Sequence, residues 1–482
     1  MNSRFIRTIL LCVCLGTASM SAQTSPDLDQ LKAKMAQLQQ MMEDLKAQMA
    51  AAENGQPSGA NASAPAASKV PGAGGIPEQP SQAPGGATAE QVNSQPAPNP
   101  LSPEQTEGTR MDIYGAAMFD TGYEGKSSNP DWFDVLRPTQ LPSYSGQYGV
   151  GGNWFTSVRQ SRFGVKTYTH TDLGELKTIF EFELFGTGVD AGQTTFRLRH
   201  AFGELGQLGA GQTWSTFMDP DVFPNSVEYW GPNGMVFFRN IQLRWTPWQK
   251  ADSNFMIAVE RPGASGDNGV YRNFIALQNI QPRFAMPDFT AHYRYASEWG
   301  HFQVAGIVRD IKWHDLNPDQ FNLSGSAVGW GVNLSSNVKV SKHVARLQAV
   351  YGDGIENYMN DATIDIGPQN NFSNPSKPIV GKALPVLGIV AFMDFNWSKY
   401  FTSTAGYSLV QITNSNGSLP SDYHRGQYAL ANILYYPVKN MFLGPEIQWG
   451  DRTNWHDGFN ASDWRVQLSV KYNFKYQLGG NQ

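Results

Sequence analysis

Eight cations stand out because their neighbours fix the direction in which they point: Arg162, Lys166, Arg197, Arg199, Arg244, Arg294, Arg309 and Arg346. In an extended chain successive side chains face opposite ways. With Phe163 and Val165 on one face, Arg162 and Lys166 take the other, and Phe196 and Leu198 likewise set Arg197 and Arg199 apart. Ile241, Leu243 and Trp245 do the same for Arg244, and the argument extends to His292 with Arg294, then to Arg309 and Arg346. If the apolar face met hydrocarbon, a cation on it at mid-depth would cost about 2–4 kcal/mol, so the basic face must look into an enclosed polar space. Cations lining a narrow passage with low-dielectric walls focus their field on passing anions. The chemistry is electrostatic and needs no nucleophile, cofactor or metal, and no G-x-S-x-G or zinc-ligand spacing is present. The same residues also admit a structural use, each arginine pairing with an inward glutamate such as Glu181, Glu183 or Glu446. Strict alternation sends His200, between Leu198 and Phe202, outward to a subunit interface or to interfacial depth. Arg239 shares parity with Ile241, and its place near a strand start puts it at the rim or under a loop.

The elements that must hold these residues are strands. The chain closes on RVQLSVKYNF, where Val466, Leu468, Val470, Tyr472 and Phe474 alternate with Arg465, Gln467, Ser469, Lys471 and Asn473. Ten residues match what a tilted strand needs to cross a bilayer, whereas soluble strands cluster near 5 or 6. Similar segments recur from residue 110 onward, sixteen in all. The connections alternate between tight turns and loops of up to about thirty residues, the asymmetry of a membrane barrel with its long loops at one end. Such a barrel turns its apolar face to lipid and its polar face to water inside. Trp245, Trp248, Tyr400, Tyr435, Tyr436 and Trp449, near strand ends, fit interfacial girdles.

Composition divides the chain. Every aromatic residue but Phe5 lies beyond residue 110. Residues 1–22 carry Arg4 and Arg7, an apolar core and small residues up to Ala22, the pattern of a secretory signal. Both cysteines, Cys12 and Cys14, fall inside it. In residues 23–53, Leu28, Leu31, Met35, Leu38, Met42, Leu45, Met49 and Ala52 alternate at spacings of three and four, the a/d seam of a short coiled coil, which implies an oligomer. Residues 54–109, with ten prolines, form a disordered Pro/Gly/Ala-rich linker. The barrel is expected over 110–476, followed by a tail, 477–482. A net charge of −5 gives no basic footprint for nucleic acid. Beyond the signal no apolar run approaches 18 residues, which excludes membrane-spanning helices.

The segment SRFGVKTYTHTDLGELKTIFEFEL resembles the early hairpin of Gram-negative general porins. QYALANILYYPVKNMFLGPEIQWG and AFGELGQLGAGQTWSTFMDPDVFPNSVEYW resemble the DcaP-like outer-membrane channels, and the likeness covers roughly 111–474, with the coiled coil and linker matching that family's amino-terminal extension. The resemblance implies an all-β fold, a sixteen-stranded antiparallel transmembrane porin barrel. It further implies a homotrimer in the outer membrane lipid, with its extension in the periplasm, passing small anionic solutes such as dicarboxylates. By likeness to porins, the loop after the fifth strand, 215–234, folds into the barrel. Its Asp219, Asp221 and Glu228 would then oppose the basic wall across a constriction. One departure is the eight residues after Phe474, where such barrels commonly end on an aromatic residue used in assembly. Two other functions fit parts of the chain: an envelope spacer whose coiled coil meets peptidoglycan or a periplasmic protein, and an outer-membrane hydrolase built around His200.

Overall fold

The computed structural model describes residues 109–479 apart from 274 and 319; the signal segment, coiled coil and linker expected at 1–108 lie outside the described residues. Alternation becomes strand throughout the remainder. The first ten strands are β1 (Thr109–Glu124), β2 (Asn153–Ser157), β3 (Arg162–Thr171), β4 (Gly174–Phe185), β5 (Thr194–Leu205), β6 (Leu208–Trp214), β7 (Arg239–Gln249), β8 (Ser253–Glu260), β9 (Ile280–Arg283) and β10 (Asp288–Ser297). Then follow β11 (Gly300–Asp315), β12 (Gly325–Val340), β13 (His343–Asp353), β14 (Ile366–Asn370), β15 (Ile379–Ala383), β16 (Pro385–Asn396), β17 (Phe401–Ile412), β18 (Tyr423–Tyr435), β19 (Met441–Asn454) and β20 (Asn460–Leu478).

Neighbours pair antiparallel, and β20 returns to β1 from Met111↔Leu478 to Glu124↔Arg465, which closes the sheet and leaves it no edge. β2 and β3 both pair with β1, and β9 and β10 both with β11, so each couple is one interrupted stave; β14 and β15 pair only with each other. The barrel therefore has the sixteen antiparallel staves expected from the sequence. The closing ladder runs on to Leu478, two residues past the expected end at 476. The turn between β5 and β6 is only Gly206 and Gln207, with Gly206 at φ +58°, a conformation that costs glycine little. Long connections such as 125–152 and 354–365 lie at the opposite end.

The wall obeys the lipid rule. Along β20, Val466, Leu468, Tyr472 and Phe474 are exposed on the outside, while Arg465, Gln467 and Ser469 are buried inside. The interior is not simply water, however, and this corrects the expectation. The inward faces of β11, β13 and β16–β18 supply Ile307, Val350, Val390, Phe392, Val410 and Leu430, all buried against Phe217, Met218, Val222, Phe223 and the run 235–238 from the loop between β6 and β7. Each such side chain withdrawn from water contributes about 1.5–3 kcal/mol, which offsets the entropy lost in ordering the loop. β16 carries the sequence signal for this: VLGIVAF is apolar on both faces, as in a strand covered on both sides.

Candidate functional site

The loop between β6 and β7 crosses the lumen. Near its start Asn333 donates to the Phe217 carbonyl at 2.9 Å, farther on the Asn225 amide donates to Asp394 at 3.2 Å, and the Val227 amide donates to Glu446 at 3.0 Å. Near its end the Gly234 amide donates to Ser408 at 2.9 Å. A Cβ at Gly234 would lie 2.0 Å from the Leu409 carbonyl oxygen, so the backbone approaches the wall too closely for any other residue.

Asp219 pins the loop on one side. Its carboxylate accepts from Arg294 at 3.1 Å, His301 at 2.7 Å and Ser335 at 2.6 Å, from three neighbouring staves. Burial alone would raise this carboxyl; the His301 and Arg294 contacts outweigh it and hold it well below the usual carboxylate range. Asp221 takes the other arm of Arg294. Asp219 and Asp221 thus neutralise a cation beside them instead of facing the wall of β3–β7. Asp219, Asp221 and His301 are close enough to share a divalent ion, but Arg294 already supplies the positive charge there. Glu228 is fully buried and accepts backbone amides of Leu136 and Gly231. Burial, with Glu446 adding to it, pushes its carboxyl up to about 8. His292 lies under the loop, bonded to the Thr216 carbonyl at 2.8 Å.

Facing the loop on β3–β7 is a cluster of arginines around two glutamates. Arg199 lies 2.5 Å from both Glu181 and Glu183. Arg162 is 3.6 Å from Glu181 and 3.9 Å from Glu183, Arg197 is 3.6 Å from Glu183, and Arg239 is 3.5 Å from Glu183. Tyr114 donates to Glu181 at 2.7 Å and Tyr229, from the loop, to Glu183. Four cations thus surround two anions. Arg162 and Arg197 keep 16% and 13% of their side chains accessible, whereas Arg199 and Arg239 keep 2%. Arg244 pairs with Glu204 at 2.6 Å, and Lys166 sits 4.9 Å over the Tyr114 ring.

A bulge makes this packing possible. Glu181 pairs with His200 but Phe182 with Leu198, so Arg199 is an extra residue on β5 and the parity of the strand flips beyond it. Arg199 and His200 both turn inward, as does Phe202, which lies under the Arg244 guanidinium at 4.6 Å. This corrects the outward placement of His200 and Phe202: an unbroken period of two cannot register an inserted residue. His200 bonds Thr213 at 3.0 Å and stands edge-on to Trp214, far from a lipid-facing catalytic role.

Arg309 and Arg346 also point inward, but their charges are consumed. Arg309 is wholly buried, 3.0 Å from Asp288 and 2.8 Å from Asp365; Arg346 holds Asp394 and the Asp221 carbonyl. Toward the long-loop end lies a cavity of about 400 Å³ bordered by Arg137 and Arg452. Arg137 is sandwiched between Trp132 (4.2 Å) and Trp230 (3.7 Å) and paired with Asp361 at 2.9 Å. Arg137 lies in a loop, where alternation says nothing, and sequence reading passed it over.

A model of the DcaP outer membrane protein family matches residues 82–474. The chain belongs to that family. Among solved structures, the outer membrane channel DcaP of Acinetobacter baumannii superposes with a TM-score of 0.61 at 20% identity, covering 77% of this chain and 99% of that one. The anion-selective porin from Comamonas acidovorans gives a TM-score of 0.49 at 10% identity, over 76% of this chain and all of that one. No curated protein sequence matches the chain. The DcaP family places the chain in the outer membrane, and within the barrel the long loops and the Arg137 cavity lie at one end and the tight turns, with both ends of the closing ladder, at the other.

Proposed function

We propose that this DcaP-family barrel is an outer-membrane diffusion channel that prefers small anions, dicarboxylates among them, and works as a homotrimer. One observation carries the reading: four arginines gather around Glu181 and Glu183, leaving an excess of two positive charges, and Arg162 and Arg197 at its edge remain accessible. An anion passing that edge exchanges part of its hydration for guanidinium donors whose geometry suits a carboxylate. Arg199 and Arg239, with Glu181 and Glu183, hold the accessible pair in place. Arg244, paired with Glu204, and Arg294, paired with Asp219 and Asp221, continue the polar path toward the short-turn end. A secretory signal in 1–22 and a periplasmic coiled coil in 23–53 fit the same reading. The test is the reversal potential of the full-length protein in planar bilayers under a salt gradient: an anion-side reversal supports the channel as described, and a cation-side reversal dismisses it.

A further inference from the structure

We propose that the outer rim of β9 and β11 binds the phosphorylated headgroup of an outer-leaflet lipid. Arg283 and Lys312 are direct partners in the antiparallel ladder, so their side chains leave the same face within about 5 Å of one another. That face is the lipid side: Val304 and Val308, which share parity with Lys312, are exposed on it, as is Val328 on the neighbouring stave. Counted from the short turn at Gly300, Lys312 stands about 30 Å up the tilted strand, just above an apolar band of about 25 Å.

Two like charges placed directly opposite each other destabilise a sheet unless an anion lies between them. One carboxylate is at hand, Asp310, 2.7 Å from Lys312. Arg283 is exposed and has no acidic partner among the described residues. Immediately below Arg283 the ladder breaks between β9 and β10 at 284–287, and the exposed Phe284 and Met286 border the gap. Unpaired backbone groups at membrane depth are costly, and a polar headgroup seated there would satisfy them. A phosphate over Arg283 and Lys312, with acyl chains on Val308 and Val328, exchanges the Asp310 contact of Lys312 for one shared with Arg283. The site lies on the outside of the wall, so it is independent of what passes the lumen.

The experiment is lipid retention by the full-length protein in neutral detergent, read by native mass spectrometry with diphosphorylated lipid A as probe. Wild type is expected to retain it, Arg283→Gln and Lys312→Gln each to weaken retention about fivefold, and the double variant about 30-fold. Lys339→Gln, at the opposite rim, is expected to match wild type, and heat-modifiable mobility checks that each variant is folded. Dephosphorylated lipid A should bind wild type no better than the double variant. Equal retention by wild type and the double variant overturns the proposal, as a second copy of the chain covering this face would produce. Displacement of the lipid by inorganic phosphate alone also overturns it, reducing the site to one for a free anion.

Discussion

At the scale of single residues, inward-facing arginines divide into those that hold the structure and those that meet the lumen. Arg199 is buried between Glu181 and Glu183, so Arg199→Gln leaves the two carboxylates with the longer contacts to Arg162, Arg197 and Arg239 and the hydroxyls of Tyr114 and Tyr229. The loss is expected to be about 3 kcal/mol, near the low end for breaking a buried pair because those contacts remain, seen as a lower urea midpoint. Arg162→Gln with Arg197→Gln, which leaves Arg199 on both glutamates, should cost less stability than Arg199→Gln and lower the anion-to-cation permeability ratio by up to about 15-fold, since each charge attracts an anion and repels a cation with about 0.4 kcal/mol over about 10 Å of water. An unaltered ratio in that variant would remove the accessible pair from the selectivity mechanism. Glu228 makes a separate prediction. Its folded carboxyl is raised to about 8 by burial. The folded state therefore holds the proton more tightly than the unfolded chain, and the stabilisation is complete below about pH 4 and lost as pH rises through 8. Urea midpoints should accordingly fall between pH 6 and 9, and Glu228→Gln should flatten that slope; an identical slope in the variant would place the titration elsewhere.

At the scale of elements, the decisive feature is the bulge on β5. Strict alternation puts Ala201 in the lumen and His200 against lipid, and the extra residue at Arg199 reverses both. The barrel contains no cysteine, so single substitutions report their surroundings cleanly. Ala201→Cys is expected to react with a membrane-soluble maleimide, as Leu198→Cys should, while His200→Cys stays protected. The opposite pattern would mean that the register runs unbroken. The same element-level logic explains the loop between β6 and β7. Its apolar residues find partners because β11, β13 and β16–β18 present apolar side chains inward as well as outward. A continuous apolar run in a membrane strand therefore signals that its lumen face is covered, and VLGIVAF carried that signal where simpler alternation did not.

At the scale of the whole molecule, selectivity is a property of a field, and fields are screened. The Debye length shrinks from about 10 Å at 0.1 M salt to about 3 Å at 1 M, so the permeability ratio should approach unity over that range. A ratio that stays constant would point to sieving by the loop in place of charge. How much of this was legible beforehand follows from the range of each constraint. Period-two alternation is local, and hydrocarbon penalises a misplaced charge by several kcal/mol. The residues alone therefore determined the sixteen staves, the closure of the barrel and the inward direction of Arg162, Arg197, Arg244, Arg294, Arg309 and Arg346. What an inward arginine meets is decided by partners far along the chain: Asp365 for Arg309, 56 residues away, and Asp219 for Arg294, 75 residues away. Only the closed barrel, with its loop packed inside, brings those groups together. The tertiary structure alone thus separated the arginines spent on holding loops from those left facing the lumen, because pairing in an enclosed space depends on three-dimensional proximity that no local spacing encodes.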